Sequence, residues 1–466
     1  MADFPQAPSY VADPAILKLG NAFYDVVEAA DFPQTVLRFR NDRAAAEIGL
    51  DGLSDDRWLA HFGRFDPLPG NLPQPLALRY HGHQFRSYNP ELGDGRGFTF
   101  AQMRRGDGAL VELGTKGSGQ TPWSRFGDGR LTLKGGVREV LATEMLEALG
   151  VRTSRSFSLI ETGEALQRND EPSPTRSAVL VRMSLGHIRI GTFQRLAYFG
   201  DAENMRRLVD YCLTEMFNVE PGEDPVAQFF ELVVDGTAAL AASYMVAGFV
   251  HGVLNTDNIN VMGESFDYGP WRFAPVFDPG FTAAYFDHSG LYAYGRQPDA
   301  ILWNVAQLAV SLRLISEAPP LIERLERFEP LYRRHYAAPL LRRLGLAPGA
   351  PDADRDWALK DAIDDTLIAT RWPIDRFFFD AFAGALPAGY GPEWDKVRVA
   401  LAGYAPLPHA RAHPYFSDAE PCSMLIDEVE AIWSAIDRDD DWAPFEAKIA
   451  AIRRMGDALG GQAGHR

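Results

Sequence analysis

Apolar residues change from a strand-like to a helix-like arrangement about halfway along the chain. Between residues 76 and 185, short apolar or alternating runs lie between glycine-rich turns, a pattern typical of strands. One helix interrupts them, with apolar residues at helical spacing from Val137 to a stop at Gly150. After Asp224-Pro225, a capping side chain followed by a first-turn proline, the pattern is helical. The predicted strands cover 98–103, 109–113, 156–160 and 178–181.

These patterns predict an α+β chain with a β-rich first lobe and a helical second lobe. We expect residues 1–75 to form an N-terminal extension, 76–185 the N-lobe, 186–345 the C-lobe and 346–466 a C-terminal helical region. Helices are predicted from 224 to about 247, at 299–316 and at 320–345, with a linker from Pro348. The uncharged stretch 236–256 contains polar residues and continues a charged helix, so we interpret it as a buried helix.

The formal net charge of −17 argues against nucleic acid as a partner, because phosphate backbones are bound by clustered positive charge. A few arginines in one pocket could still bind a small phosphate ligand. The two cysteines, Cys212 and Cys422, do not make a secreted disulfide scaffold, and the first residues show no signal peptide. We expect a cytoplasmic monomer that does not bind membranes.

Lys116 ends a predicted strand, and Glu139 lies on the helix that follows it. A lysine that points from a strand into a cleft is a compact positive charge suited to phosphate. Protein kinases hold this lysine with a glutamate from a helix. The pair indicates a nucleotide site, although ordinary surface ion pairs use the same residues.

The segment His251-Gly-Val-Leu-Asn-Thr-Asp-Asn258 lies after the long helix, where a protein kinase has its catalytic loop. That loop reads H-R-D-L-x-x-x-N, with the aspartate as base and the asparagine as metal ligand. His251 and Asn258 match it. The following Asp267-Tyr-Gly element corresponds to the metal-binding D-F-G sequence. The segment therefore predicts a bilobal, protein-kinase-like fold with Asn258 and Asp267 as metal ligands.

Val253 occupies the position of the kinase base, and valine cannot accept a proton. Asp257 is the nearest carboxylate that could replace it. A turn-forming aspartate would look the same in the sequence. Asp257 as the base is therefore a hypothesis.

Three glycine clusters surround Lys116 in sequence: Gly93-Asp-Gly-Arg-Gly97, Gly117-Ser-Gly119 and Gly127-Asp-Gly-Arg130. Glycine lets a backbone approach a ligand and expose N–H groups to anions. Arg182 and Arg189 lie near the expected hinge, where kinases bind the adenine. Guanidinium groups suit phosphates there, which indicates ATP turned end for end, although surface ion pairs are an alternative.

The chain resembles the selenoprotein O family, also called YdiU, over roughly residues 75–310. Besides the elements above, the matching motifs are Tyr80-His-Gly-His-Gln-Phe85, Lys116-Gly-Ser-Gly-Gln-Thr-Pro122 and Tyr294-Gly-Arg-Gln-Pro298. Members are kinase-like proteins that bind ATP in an inverted orientation and transfer AMP to Ser, Thr or Tyr hydroxyls of proteins. The resemblance implies Asp257 as proton acceptor, Lys116 paired with Glu139, and Mg²⁺ or Mn²⁺ on Asn258 and Asp267. It implies ATP contacts from Gly93, Gly95, Arg96, Lys116, Asp128, Gly129, Arg182, Arg189 and Asp267.

Two alternatives stay open: a kinase that uses Asp257 as an unusual base, and an inactive pseudokinase that only binds ATP. His81 and His83 have the spacing of a metal pair but lack a third ligand, so we interpret them as structural. Some members of the family carry selenocysteine or cysteine near the C-terminus. This chain ends without one, so we expect no redox switch of that kind.

Overall fold

The computed structural model describes residues 9–169, 171–350 and 352–460. The expectations about a signal peptide and about the C-terminal residues fall largely outside these ranges. The described chain is a mixed α+β structure with a sheet in its first part and helices in its second, as predicted.

Seven strands follow one another across the main sheet in the order β1-β3-β6-β7-β10-β9-β2, and β8 adds to β10. Every pairing is antiparallel. Strands β1 and β2 come from the segment expected to be an N-terminal extension, and both are part of this sheet. Two small ladders, β4-β5 and β11-β12, lie apart from it. The strands are Tyr24–Val26 (β1), Val36–Arg40 (β2), Leu76–Leu78 (β3), Gly82–Gln84 (β4), Ser87–Asn89 (β5), Thr99–Arg104 (β6), Leu110–Lys116 (β7), Leu131–Thr132 (β8), Arg155–Leu166 (β9), Thr175–Ser184 (β10), Phe249–Val250 (β11) and Arg272–Phe273 (β12).

Fourteen α-helices lie in the described ranges. They are Asp42–Glu47 (α1), Asp55–Gly63 (α2), Leu133–Ala148 (α3), Ile190–Phe199 (α4), Ala202–Tyr211 (α5), Pro225–Ala247 (α6), Gln297–Leu312 (α7), Ala318–Leu325 (α8), Phe328–Arg343 (α9), Ala353–Thr370 (α10), Ile374–Asp380 (α11), Asp395–Leu401 (α12), Ile426–Asp439 (α13) and Ala443–Ala458 (α14).

Helix α3 is the helix predicted from the apolar spacing. The Thr132 hydroxyl caps its first turn by accepting a hydrogen bond from Gly135 N at 3.1 Å. The helix ends at Ala148, and Gly150 has the left-handed φ of 83° expected of a helix stop. Its apolar side packs on β9 and β10, which positions Glu139 behind the sheet.

Helix α6 begins as the sequence predicts, with Asp224 capping Ala227 N at 3.0 Å and Pro225 in the first turn. The helix ends at Ala247, as predicted, so the interpretation of the whole uncharged stretch 236–256 as buried helix was wrong in its second half. Gly248 adopts a left-handed conformation that ends α6, so the next residues form β11 and a loop. Over the described part of the chain, α6 alone has the length and apolarity to cross a membrane. Of its most apolar window, 67% is buried, as in a core helix.

The prediction of one helix at 320–345 was also wrong, because the chain leaves the helix at Glu326-Arg327 and forms two helices, α8 and α9. Both pack on α6. Helices α13 and α14 of the C-terminal region pack on α3. The C-terminal helices are thus part of the support of the sheet.

Candidate active site

A cavity of about 660 Å³ opens between the glycine-rich turns and the start of the helical part. Ten of the residues predicted from the sequence line it, namely Gly93, Gly95, Arg96, Lys116, Asp128, Gly129, Arg182, Arg189, Asp257 and Asp267. Glu139 and Asn258 are not on its wall; each contacts a segment that contributes to the wall, as described below. The structure therefore brings these predicted residues together.

Strand register places the central cations on one face of the sheet. Lys116 pairs with Leu180, and Gly114 pairs with Arg182, in the antiparallel β7-β10 ladder. Because side chains alternate along a strand, Lys116 and Arg182 project to the same side. The intervening Val181 packs into the core on the other side.

Lys116 bridges two carboxylates, the buried Glu139 and the partly buried Asp267. Its ammonium donates to Glu139 on α3 and to Asp267 Oδ1, the latter at 2.7 Å. Burial alone would raise the pKa of Asp267, but the cations of Lys116 and Arg182 outweigh it and hold that pKa well below the usual range. Asp267 is therefore a carboxylate at neutral pH and can accept a cation.

Arg189 is held rigidly at the base of the cavity. Its guanidinium lies over the rings of Tyr80 and Phe266, 4.3 Å and 5.0 Å from their centroids. One nitrogen forms an ion pair with Asp94 Oδ1 at 3.1 Å, and another donates to the backbone oxygen of Asp257 at 3.3 Å. The arginine is 3% exposed. It therefore presents a fixed positive charge beside Asp257.

Asp257 is 8% exposed and lies on the cavity wall. Within the described residues, its Oδ1 has no hydrogen-bond partner. Burial raises its pKa to about 6, with Arg189 opposing the rise and Asp267 adding to it. A buried carboxylate with one unoccupied oxygen can accept a proton from a bound hydroxyl.

The β11-β12 ladder brings the two loop segments together. His251 follows β11 and donates from Nε2 to the backbone oxygen of Phe266 at 3.0 Å, directly before Asp267. Its Nδ1 accepts from Val253 N at 3.4 Å. The Asn258 amide donates to Val253 O at 2.9 Å, which leaves its carbonyl oxygen for another partner. The histidine therefore links the two segments that carry Asn258 and Asp267.

The donor set of Asn258 and Asp267 suits a hard divalent cation that keeps further oxygen ligands from phosphates and water. Within the described residues, no group of three or more His, Cys, Asp and Glu side chains forms a metal site by itself. Mg²⁺ commonly uses only one or two carboxylates together with substrate phosphates. The residues present therefore fit a nucleotide-bound cation.

The three glycine clusters form one connected rim. Gly117 N donates to Arg96 O at 2.6 Å, and Gly119 N donates to Gly129 O at 3.1 Å. A Cβ at Gly129 would lie 2.2 Å from the Gly119 backbone, and φ there is +70°. Only glycine fits such a crossing. Asp128 lies at the exposed edge, where its carboxylate forms an ion pair with Arg168 at 2.8 Å.

Sequence reasoning missed several wall residues, notably Asp94, Tyr80 and Gln84. All three were inside quoted motifs, so position in a motif was the available signal. The paired histidines, His81 and His83, flank Gly82 at the start of β4 and do not line the cavity. His81 Nδ1 contacts the Tyr88 hydroxyl at 2.8 Å, and His83 Nδ1 accepts from Gln194 Nε2 at 2.7 Å.

The family model for "Protein adenylyltransferase SelO" matches residues 9–385. The "Protein nucleotidyltransferase YdiU" of Synechococcus elongatus is 45% identical over 96% of this chain and 95% of its own length. The protein of the same name from Gloeobacter violaceus is 45% identical over 95% of both chains. A third, from Aeromonas salmonicida, is 40% identical over 65% of this chain and 62% of its own. The similarity thus extends well beyond residues 75–310, and the chain belongs to the SelO/YdiU family of nucleotidyltransferase enzymes.

Proposed function

We propose that this protein is a protein adenylyltransferase that moves AMP from ATP to Ser, Thr or Tyr hydroxyls of other proteins. The proposal includes a bilobal, protein-kinase-like arrangement and ATP bound in an inverted orientation. The observation that carries it is the convergence of Lys116, Arg182 and Arg189 with Asp257 in one cavity. The names of the family and of its relatives support the same reaction.

The kinase-like arrangement is supported by the contact of Lys116 with Glu139 on the helix behind the sheet. Inversion of ATP is supported by the two arginines. Arg182 and Arg189 are 5% and 3% exposed, and buried guanidinium groups of this kind suit phosphate oxygens and do not suit an adenine edge. In that orientation the α-phosphate, and not the γ-phosphate, lies nearest the incoming hydroxyl.

In the proposed step, the acceptor hydroxyl oxygen attacks the α-phosphorus. The bond from that phosphorus to the bridging oxygen breaks, and pyrophosphate leaves. Asp257 accepts the hydroxyl proton, and Arg189 beside it stabilises the carboxylate form before transfer. Lys116 and Arg182 neutralise charge on the phosphates. A divalent cation on Asn258 and Asp267 would add further charge neutralisation when bound.

We further propose that the enzyme acts as a cytoplasmic monomer on protein substrates, without nucleic acid or membrane partners. The charge of −17 supports the exclusion of nucleic acid. The burial of α6 supports the absence of a membrane segment.

The decisive experiment uses ATP labelled at either the α- or the γ-phosphate, with Mg²⁺ or Mn²⁺ and a protein acceptor. We expect label from the α-phosphate to stay on protein and label from the γ-phosphate to leave as pyrophosphate. Mass spectrometry of the modified peptides should identify AMP on Ser, Thr or Tyr. Retention of γ-label alone would make the protein a kinase, and retention of neither would make it a nucleotide-binding protein.

Asp257→Asn separates the base from the binding site. The amide has nearly the same shape but cannot accept the proton, so we expect AMP transfer to fall by about 10²–10⁴-fold. ATP binding should remain close to wild type. Asp51→Asn, at an exposed position, is the control. Wild-type rates in Asp257→Asn would remove Asp257 as the base.

A further inference from the structure

A row of buried polar side chains lies behind Arg182 on the same face of the sheet. Glu112 is 1% exposed, His187 4% and Arg182 5%. His187 lies between the other two. Its Nε2 is 3.2 Å from Arg182 Nε, and its Nδ1 is 2.5 Å from Glu112 Oε1. His187 therefore links the buried Glu112 carboxylate to Arg182 on the cavity wall.

The hydrogen bonds fix where the imidazole proton lies. The Nε–H of a guanidinium can only donate, so His187 Nε2 must accept from Arg182. The proton of a neutral imidazole then resides on Nδ1, which donates to Glu112. The opposite tautomer would direct two N–H groups at each other.

Glu112 is itself fixed as an acceptor. Thr99 Oγ1 donates to its Oε1 and Gln102 Nε2 donates to its Oε2, each at 2.8 Å. Together with His187, three donors surround this carboxylate. Because the Glu112 carboxylate only accepts, His187 Nδ1 must donate to it, which independently excludes the Nε2–H tautomer.

Space for the imidazole comes from a glycine. Gly114 pairs with Arg182 across the ladder, and a Cβ there would lie 2.3 Å from His187 Cε1 and 2.6 Å from Nε2. Any larger residue at 114 would displace the ring. The site therefore requires both a glycine on β7 and a histidine after β10.

We propose that His187, held by Glu112 in the Nδ1–H tautomer, is a positioning residue that directs Arg182 toward the nucleotide phosphates. The proposal rests on the proposed ATP-dependent function. Within the described residues, Arg182 Nη1 makes no hydrogen bond, and it lies 3.6 Å from Asp267 Oδ1. An arginine released from His187 can close on Asp267 and neutralise the carboxylate that the cation needs. His187 prevents this movement by accepting the hydrogen bond from Arg182 Nε.

Two substitutions of His187 separate positioning from packing. His187→Leu removes both nitrogens and fills a similar volume. His187→Gln keeps an oxygen that can accept from Arg182 and an amide that can donate to Glu112. We expect the Kd for Mg²⁺-ATP, measured by direct binding, to rise about tenfold or more in His187→Leu. In His187→Gln it should stay within about threefold.

A second pair of variants leaves His187 in place. Gly114→Ala displaces the ring, whereas Gly106→Ala, in the β6-β7 turn, adds a methyl group with nothing within 4 Å. We expect weaker binding of Mg²⁺-ATP in Gly114→Ala and unchanged binding in Gly106→Ala. In the wild type, side-chain ¹⁵N NMR should show the His187 proton on Nδ1, with the signal assigned by its loss in His187→Gln.

Equal Kd values in wild type, His187→Leu and Gly114→Ala would overturn the positioning role while leaving the ATP site intact. An Nε2–H tautomer would overturn the proton assignment and with it the proposal. A wild-type protein that does not bind Mg²⁺-ATP would overturn the proposed function and this inference together. Failure of His187→Leu to fold would leave Gly114→Ala and the tautomer to decide.

Discussion

At the scale of single residues, neighbours and not burial decide which carboxylates stay charged. Asp257 and Asp267 both contribute to the cavity, and burial disfavours the charged form of each. Lys116 and Arg182 reverse this effect at Asp267 but do not do so at Asp257. The result is one permanent anion and one carboxylate able to take up a proton.

Glu264 is a buried carboxylate that does not line the cavity, and it tests how burial and neighbours together set a pKa. It is 3% exposed and accepts a hydrogen bond from Leu185 N at 3.0 Å. Burial raises its pKa from 4.5 to about 7, with Leu185 N and nearby arginines opposing the rise. The folded state therefore binds a proton more tightly than the unfolded state, and stability falls as the pH rises from about 4.5 to 7.

Glu264→Gln should remove this pH dependence, because the amide keeps an oxygen for Leu185 N but never ionises. Relative to the variant, the wild type should lose about 2–4 kcal/mol of unfolding free energy between pH 5 and pH 8. Urea unfolding of both proteins at several pH values measures the difference. Parallel pH profiles would show that Glu264 has an ordinary pKa in the fold.

At the scale of elements, the C-terminal helices hold the helix that carries Glu139. Arg453 on α14 forms a bidentate ion pair with Glu144 on α3, in which Nε and Nη2 each lie 2.7 Å from a carboxylate oxygen. Lys134 at the start of α3 pairs with Glu430 on α13 at 2.7 Å. Helix α3 is thus fixed between the sheet and the C-terminal region, which fixes Glu139 and, through it, Lys116.

Glu144→Ala should destabilise the protein by about 2–4 kcal/mol, because it leaves the half-buried Arg453 without its carboxylate. The Glu144 side chain is 4% exposed. Glu203→Ala is the matched control: it removes an exposed pair with Arg207, in which the side chains are 85% and 43% exposed. That change should cost under about 1 kcal/mol. Chemical denaturation measures the unfolding free energy of both variants. Similar losses would mean that the α3-α14 ion pair stabilises the fold no more than an exposed pair does.

Strong local signals explain which elements were predictable. Asp224-Pro225 and Gly150 act within one turn of a helix, so α6 began and α3 ended where predicted. The predicted end of α6 near residue 247 was also confirmed, whereas the uncharged stretch that continues through β11 to residue 256 was interpreted as helix throughout. Strands β1 and β2 are short and pair with distant partners, so their place in the sheet is a tertiary effect.

The candidate site likewise contains residues that the sequence predicted and contacts that it could not predict. Lys116, Asn258 and Asp267 belong to spaced motifs with known chemistry, and their positions agree with the cavity or its supporting loops. The connection from Glu112 through His187 to Arg182 spans two strands and a loop. No spacing in the sequence reports a hydrogen bond between residues on paired strands, because the register that creates it is set by the whole sheet.

At the scale of the whole molecule, the cavity is built from both parts of the chain. Lys116 and Arg182 come from the sheet, whereas Asp257 and Asp267 come from loops of the helical part. A ligand that contacts both parts binds only the folded, assembled arrangement. Its binding free energy therefore adds to the stability of the complete structure.

We expect Mg²⁺-ATP to raise the melting temperature, with a gain of about 2.7 kcal/mol in unfolding free energy at one hundred times Kd. Asp267→Ala should abolish most of the rise, because it removes the carboxylate that fits the cation. Asp51→Ala, at an exposed position outside the cavity, should respond like the wild type. Differential scanning calorimetry with and without the nucleotide measures the effect, and an undiminished rise in Asp267→Ala would contradict the assignment.

The pairing of Gly114 with Arg182 and of Lys116 with Leu180 also limits how the gene can change in length. Adding one codon within β7 or β10 would invert the side-chain alternation and present Val181 or Met183 to the cavity in place of Arg182. The turn between β6 and β7 has open space around Gly106 and can absorb extra residues without shifting that alternation. Tags or sensor domains inserted for engineering therefore belong in that turn and not in the two strands.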